Sequence, residues 1–520
     1  MTKLDEPVDD FYPHCCLPHH PVFKESSTST KIRVVFDACC KTSSGFSIND
    51  LQLVSPVIQD DLLSIVLRFR KHPIALVAVI EEMYRQVKIH PNDCVFQRIL
   101  WRTDPQHLIH TCYVRFCELQ TVTYGFASEP FLATRALQQV AEEESDKYPV
   151  AAAIFKSDFY MDDCLTGAND IRSAIEFRQQ ANSAGFPLKK WASNESAVLQ
   201  EISVEDLAVS LVHSLQAEQS VSTLGFVRET KTDVLRFRVQ LPLPAAVLTK
   251  RKIMSYIAQI FDPLGLVGPV ITVAKLFMQL LWSLKTEEGH TYKWDHPLPP
   301  QYQVDCKTFH GALDTITTLK VPRFTSLAQA TLIQLHFLSD ASEKAYGSCC
   351  YMRSECAETV RVCLLTAKSK VAPLTSHDSI ARLELCGAVL STTLYEKVSR
   401  ALQVTTDVYF WTDSTTVLQW LQSTPARWKT FVANRVSVIK NKTDIKSWKH
   451  VPGVSNPADA LSRGISSTEI SDHPLWWTGA PLACLANEEL ASNRTIKCYN
   501  SFHPRRKNSR GADQTEDFAS

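Results

Sequence analysis

The chain has 520 residues, 45% of them apolar and 21% charged, with 55 basic residues against 55 acidic ones and only 15 glycines. That length predicts roughly three or four domains of about 150 residues each, and the balance excludes collagen-like, low-complexity and disordered classes. With zero net charge, any surface for phosphates must gather its Lys and Arg locally. The candidate runs are Arg68-Phe69-Arg70-Lys71, Lys189-Lys190-Trp191 and Lys250-Arg251-Lys252, each of which equally suits a solvated surface. No apolar segment behind basic residues opens the chain and no run of some 18 apolar residues occurs, so neither a secretory signal nor a membrane span is expected. The 16 cysteines are scattered in core-like positions and read as reduced thiols.

Residues 1–30, rich in Pro, His, Ser and Thr, read as an extended arm. KIRVVFD, from Lys31, is a strand candidate; 58–70 has helical periodicity, and Ala75 to Ile80 is a short, wholly apolar buried strand. A second strand is expected over Val150 to Tyr160, leading into Met161-Asp162-Asp163, and a helix over Ile171 to Ala184 closed by Gly185. Helices then follow at 197–216, 249–260 and 273–285, and Pro297-Leu-Pro-Pro300 marks a boundary. Beyond Thr331 come three strands in meander order, 332–338, 345–352 and 359–366. A helix at 380–402, a strand at 407–411, a helix at 414–421, a strand near Trp448 and a helix after Pro457 complete the pattern. That order suits a mixed sheet with helices packed on it, and the polar last 45 or so residues read as disordered.

Four acids stand where acids are hard to justify. Asp340 ends the apolar run LHFLSDAS, Glu384 lies between Leu383 and Leu385 on a buried-looking helix, Asp413 ends VYFWTDS, and Asp459 sits at a helix start in NPADALSRG. Taken singly, Asp459 suits a helix N-terminal acid, and Asp413 and Asp340 suit capping or turn positions. Taken together, lone buried carboxylates are costly unless a cation or partner offsets them. Several at strand ends, converging with one from a helix, point to a site for Mg²⁺ or Mn²⁺, with two ions acting on a phosphodiester.

SDASEKAYG, ARLELCGAVL, FWTDSTTVLQW and HVPGVSNPADALSRG resemble the ribonuclease H region of BEL/Pao-type long-terminal-repeat retrotransposons. The resemblance implies a ribonuclease H fold in which Asp340, Glu384, Asp413 and Asp459 bind two Mg²⁺ and cleave the RNA strand of an RNA–DNA hybrid. Many such domains carry a histidine in the loop before the last acid; here none lies between Val451 and Asp459, and His450 precedes that loop.

Phe159-Tyr160-Met161-Asp162-Asp163 resembles the aromatic-x-Asp-Asp hairpin of reverse transcriptases. Adjacent carboxylates on a tight turn can hold metals that neutralise nucleotide phosphates, although acidic pairs at turns are common. KIRVVFDACCKTSSGFSINDLQLVSP resembles the fingers segment, with Arg33 at the triphosphate-contacting position, and TVTYGFASEPFLATRAL the template-facing loop and helix. AGFPLKKWASN and FDPLGLVGPVITVAKLFMQLLW match the same family. The likeness spans roughly Tyr12 to Leu482.

One motif departs from the family. Its members read A-D-I-E-x-M-Y at the end of the first palm strand, where this chain has Ala78-Val79-Ile80-Glu81-Glu82-Met83-Tyr84. Tyr84 matches the ribose-gating tyrosine, but Val79 takes the aspartate's place, and valine has no oxygen with which to bridge cations. Glu81 lies on the same strand face, displaced by one pleat. Cys39-Cys40, Glu129 and Arg228 also differ from the family's motifs.

The resemblance implies an α/β and α+β multidomain chain, a right-hand polymerase palm, fingers and thumb followed by an RNase H-like mixed sheet with flanking helices. Its boundaries are 1–30 extended arm, 31–195 fingers and palm, 196–330 thumb and connector, 331–470 RNase H-like domain and 471–520 tail. Expected partners are RNA–DNA hybrid and RNA template, with dNTP if the polymerase is active, and no membrane; the sequence leaves the oligomeric state open. The expected setting is the cytoplasm, a virus-like particle or the nucleus, without secretion. A non-catalytic nucleic-acid-binding remnant or domesticated scaffold is the alternative, and a generic metal-dependent hydrolase a third. His14-Cys15-Cys16 with His19-His20 has metal-like composition, but adjacent cysteines followed by Pro18 suit tetrahedral zinc poorly. With no Asp-Thr/Ser-Gly protease motif and no following His/Cys pair, the chain reads as a fragment of a polyprotein.

Overall fold

The computed structural model describes residues 2–4, 14–23, 32–102, 114–183, 186–208, 220–223, 226–239, 247–374, 378–403, 406–479 and 497–498. The chain divides into two compact units, Met1–Leu224 and Gly225–Ser520.

In the first unit, β1 (Ile32–Phe36) pairs with a strand His19–Phe23. β2 (Ile74–Ile80) is the IALVAVI run, apolar throughout because both its faces are covered. α1 (Glu129–Glu143) and α2 (Pro149–Ser157) precede a hairpin of β3 (Phe159–Tyr160) and β4 (Asp163–Ala168), and α3 (Ile171–Ser183) leads to β5 (Leu188–Ser193). The sheet order is β3-β4-β2-β5, all antiparallel. Leu76, Ala78, Ile80, Phe155, Phe177 and Trp191 form the core between sheet and helices. The strand expected over Val150 to Tyr160 is instead α2 followed by two strand residues. Pro149 is preset for a first helical turn and Ala151-Ala152-Ala153 favours helix over strand. The helix expected at 197–216 is replaced, where described, by short 3₁₀ turns at Ser196–Leu199 and Val204–Asp206, and 209–219 lies outside the described residues.

The second unit contains α4 (Lys250–Ala258), α5 (Gly268–Ser283) and α6 (Pro300–Ala312), then the meander β6 (Leu332–Ala341), β7 (Ala345–Cys356) and β8 (Thr359–Val371). α7 (Ile380–Leu402), β9 (Asp407–Thr412), α8 (Thr415–Gln422), α9 (Thr430–Lys442), β10 (Trp448–His450) and α10 (Asp459–Arg463) follow. The sheet runs β10-β9-β6-β7-β8, antiparallel within the meander and parallel from β6 outward, with Lys497–Cys498 beside β8. α7 packs on β6 and β7, burying Leu383, Leu390, Leu394 and Val398. α9 was not foreseen from the sequence. The expected tail disorder falls largely outside the described residues. Among the described residues, no helix is long and apolar enough to cross a membrane, and the cysteines described are free thiols.

Candidate functional site

Sheet register brings Asp340 and Asp413 to one end of the sheet, and Glu384 and Asp459 approach them from helices. β6 and β9 run parallel with Ser339 opposite Thr412, so Asp340 and Asp413 leave adjacent strands at the same level. Asp340 is only 6% exposed. Burial pushes its carboxyl up to about 7; a hydrogen bond from the Ser462 hydroxyl opposes this, while the charges of Asp413 and Asp459 add to it.

Asp413 is also raised, by burial and by Asp459, with its own backbone N–H, Asp340 and His450 pulling the other way. Its Oδ1 is enclosed without a hydrogen-bond partner. Glu384 comes from α7 and accepts the Ser414 hydroxyl, which also caps α8 through the Val417 N–H at 3.2 Å. Burial raises Glu384, opposed by Ser414 and reinforced by Asp413. Asp459, the half-exposed first residue of α10, is ion-paired with Arg463. The Arg463 charge is in turn felt by Asp340 and Asp413.

This donor set suits a hard divalent cation. It offers only carboxylate oxygens, one of them buried and unpartnered, and burial and mutual repulsion both oppose ionisation until positive charge arrives. Among the described residues, however, no three His, Cys, Asp or Glu side chains already converge closely enough to hold a metal ion. The four acids are electrostatic neighbours rather than a closed ligand shell. His450 pairs in register with Thr412, and it lowers the Asp413 carboxyl against the effect of burial.

Along the chain between Asp413 and Asp459 lies a further basic stretch, apart from the three runs named above. From Thr415 to His450 the chain has seven cations, Arg427, Lys429, Arg435, Lys440, Lys442, Lys446 and Lys449, against one acid, Asp444. Arg427, Lys429, Lys446 and Lys449 are exposed, whereas Lys442 pairs with Glu396 at 2.6 Å and Arg435 lies over the Phe431 ring at 3.5 Å. Counting charge along the chain would have found it. In the three runs named from the sequence, cations are partly engaged. Arg68 bridges Asp60 and Asp158, Lys189 pairs with Glu81 at 2.9 Å, and Arg251 with Asp295 at 2.7 Å.

In the first unit, Met161 adopts φ +56° and turns the β3–β4 hairpin, setting Asp162 exposed and Asp163 half-buried. Burial, reinforced by Asp162 and opposed by Lys190, pushes Asp163 up to about 6. Val79 lies directly opposite Asp163 in the β2–β4 register, while Glu81 is held by Lys189. Tyr84 is half-buried and its hydroxyl is pushed up to about 12, by burial first and then by Glu129 and Asp162. Arg33, exposed on β1, stands 6.0 Å from the Tyr124 ring centroid.

Residues 249–414 match the family model described as the Pao retrotransposon-like RNaseH-like domain, a span that includes Asp340, Glu384 and Asp413 and stops before Asp459. No curated protein matches the sequence. A solved structure of the foamy viral protease-reverse transcriptase dRH in complex with double-stranded DNA is similar at 14% identity and a TM-score of 0.53, over 84% of this chain and 65% of that one. Structures of the foamy viral protease-reverse transcriptase with RNA/DNA hybrid and with double-stranded DNA align at 11% and 12% identity, each with a TM-score of 0.48, over 84% of this chain and 50% and 77% of theirs. At such identity the first likeness is one of fold, and this chain spans 65% of that structure's length. Residues 249–414 are thus similar to the Pao retrotransposon-like RNaseH-like domain, the group that the motifs of the sequence resemble.

Proposed function

We propose that the second unit binds RNA–DNA hybrid and cleaves its RNA strand, with Asp340, Glu384, Asp413 and Asp459 holding two Mg²⁺ or Mn²⁺. The observation that carries this reading is the gathering of four sequence-distant acids at one end of a mixed sheet. Divalent cations held there supply Lewis acidity toward the scissile phosphate. The chain's own residues do the rest. Ser462 and Ser414 orient Asp340 and Glu384 through their hydroxyls, and exposed Arg427, Lys429, Lys446 and Lys449 hold the phosphate backbone. The test is cleavage of a labelled hybrid by the purified chain. Cleavage is expected to require Mg²⁺ and to fall by about 10³-fold or more in Asp413→Asn; unchanged cleavage by that variant would rule the assignment out.

The first unit is read as fingers and palm of an RNA-directed DNA polymerase, with Asp162 and Asp163 at the cation site and Arg33 and Tyr84 at the nucleotide. Val79 opposite Asp163 leaves that site without its first carboxylate, so DNA synthesis is impaired by orders of magnitude. That position, together with the engagement of Asp459 by Arg463, also favours a second reading, a non-catalytic remnant that retains nucleic-acid binding. Hybrid binding without cleavage at saturating Mg²⁺ would support it over the first.

A further inference from the structure

Residues 262–268 lie against the sheet that carries Asp340, although the sequence groups them with the thumb and connector. Asp262 fixes this loop from within. Its Oδ1 accepts the Leu266 N–H at 2.9 Å and its Oδ2 the Val267 N–H at 2.8 Å. Val267 caps α5 and has no side-chain acceptor to offer, so the carboxylate is what ties the loop to the start of that helix. In this shape the loop makes two attachments. The Leu264 carbonyl accepts the Thr366 hydroxyl at 2.7 Å and the Ala367 N–H at 2.8 Å on β8, and the Leu266 carbonyl accepts the Trp476 indole N–H at 2.8 Å. Gly265 adopts φ +73°, and a Cβ there would lie 1.9 Å from the Ala367 carbonyl oxygen, so backbone meets backbone with nothing between.

The helix that the loop launches bears directly on α10, which begins with Asp459. The Pro269 carbonyl accepts the Ile465 N–H at 3.4 Å. A Cβ on Gly464 would lie 2.7 Å from Val273 Cγ2, and one on Gly268 would lie 2.9 Å from Leu461 Cδ2. Leu461 is fully buried, and on its sheet side a Cβ at Gly347 would lie 2.5 Å from its own Cβ. α10 therefore occupies a slot between β7 and α5 that is closed on both sides. Ser462 on the same helix donates its hydroxyl to Asp340, so a shift of α10 displaces Asp459 and releases Asp340 together.

We infer that Asp262 is a positioning residue for the nuclease site, acting through the 262–268 loop and α5 to hold α10 and its Asp459 in place. The inference rests on the nuclease reading above. It assigns to residues 262–283 the part of an outer support for cation ligands, whose loss weakens metal binding and the chemical step without touching the nucleic acid.

The experiment follows the full-length parent, Asp262→Ala and Asp262→Asn by amide hydrogen exchange without metal, by Mn²⁺ calorimetry and by cleavage of labelled hybrid. In Asp262→Ala the α10 amides are expected to exchange about tenfold faster, while those of β6 and β7 keep their rates. The Mn²⁺ binding that Asp413→Asn removes should weaken about tenfold, with kcat down about tenfold and KM for hybrid changed less than about threefold. Asparagine keeps one acceptor, so Asp262→Asn is expected to fall between the parent and Asp262→Ala in each measurement. Unchanged exchange at α10 would overturn the inference whether or not the chain cleaves. Faster exchange there with Mn²⁺ affinity and kcat intact, or a rise in KM alone, would overturn it too. A uniform rise in exchange across the sheet in both variants would make Asp262 a determinant of general stability instead. A parent that neither binds Mn²⁺ through Asp413 nor cleaves would remove the nuclease reading and the positioning role with it.

Discussion

His336 lies fully enclosed on β6, stacked on Tyr409 at 5.2 Å, with Nδ1 accepting the Trp411 indole N–H at 3.1 Å. Among the described residues its Nε2 has no hydrogen-bond partner. Burial, helped by the Arg353 charge, depresses its pKa to about 3. An unfolded histidine titrates near about 6.5, so the unfolded chain binds this proton first. Stability is therefore full above about pH 6.5 and is lost as pH falls toward about 3, at up to about 1.4 kcal/mol per pH unit. Urea unfolding at about pH 7 and about pH 5 should show a shallower acid loss in His336→Phe than in the parent; parallel losses would deny His336 this role. At the same scale, Val79 was legible because a motif fixed its position, and register now sets it against Asp163. His336 was not, since alternation marks a strand residue as buried without saying whether its polar atoms find partners.

Elements were legible where apolar periodicity was strong. The meander and α7 appear where expected because both bury wide faces. α9 was missed because only Val432, Val436 and Ile439 form its buried seam, and β-branched residues mask a helix. Nor could the sequence reveal which elements touch closely. A Cβ at Gly347, opposite Asp340 on β7, would lie 2.5 Å from Leu461 Cβ on α10, the short helix that carries Asp459 and Ser462. Gly347→Ala should therefore cost about 1–3 kcal/mol and lower hybrid cleavage at least about tenfold by displacing that helix. Gly311→Ala, with open space around it, is the control that should leave cleavage unchanged. Melting temperature and cleavage rate, measured together, check both; a Gly347→Ala protein with full activity would mean that α10 need not hold its position.

Across the whole chain, charge sums to zero, yet the cations from Arg427 to Lys449 stand almost without local acids. If these carry the phosphate contacts, Lys446→Ser/Lys449→Ser should weaken hybrid binding uniformly across sequences and reduce the slope of log K against log salt by about 1 to 2. An unchanged slope would move the contacts elsewhere. The sequence had pointed to runs whose cations are partly tied up in ion pairs, because linear clustering does not reveal the acids that fold back onto a run. Motif order singled out Asp340, Glu384, Asp413 and Asp459 as a set, but not their spacing: the fold makes them electrostatic neighbours, and among the described residues no three of them close a ligand shell. Nuclease action by the second unit and a first unit lacking its first polymerase carboxylate are the two proposals on which the rest depends, and one assay on a doubly labelled DNA primer–RNA template reads both. The account predicts Mg²⁺-dependent cutting of the RNA with no primer extension by the parent chain, and extension only after Val79→Asp. Primer extension by the parent chain, or an RNA strand left whole at saturating Mg²⁺, would contradict it.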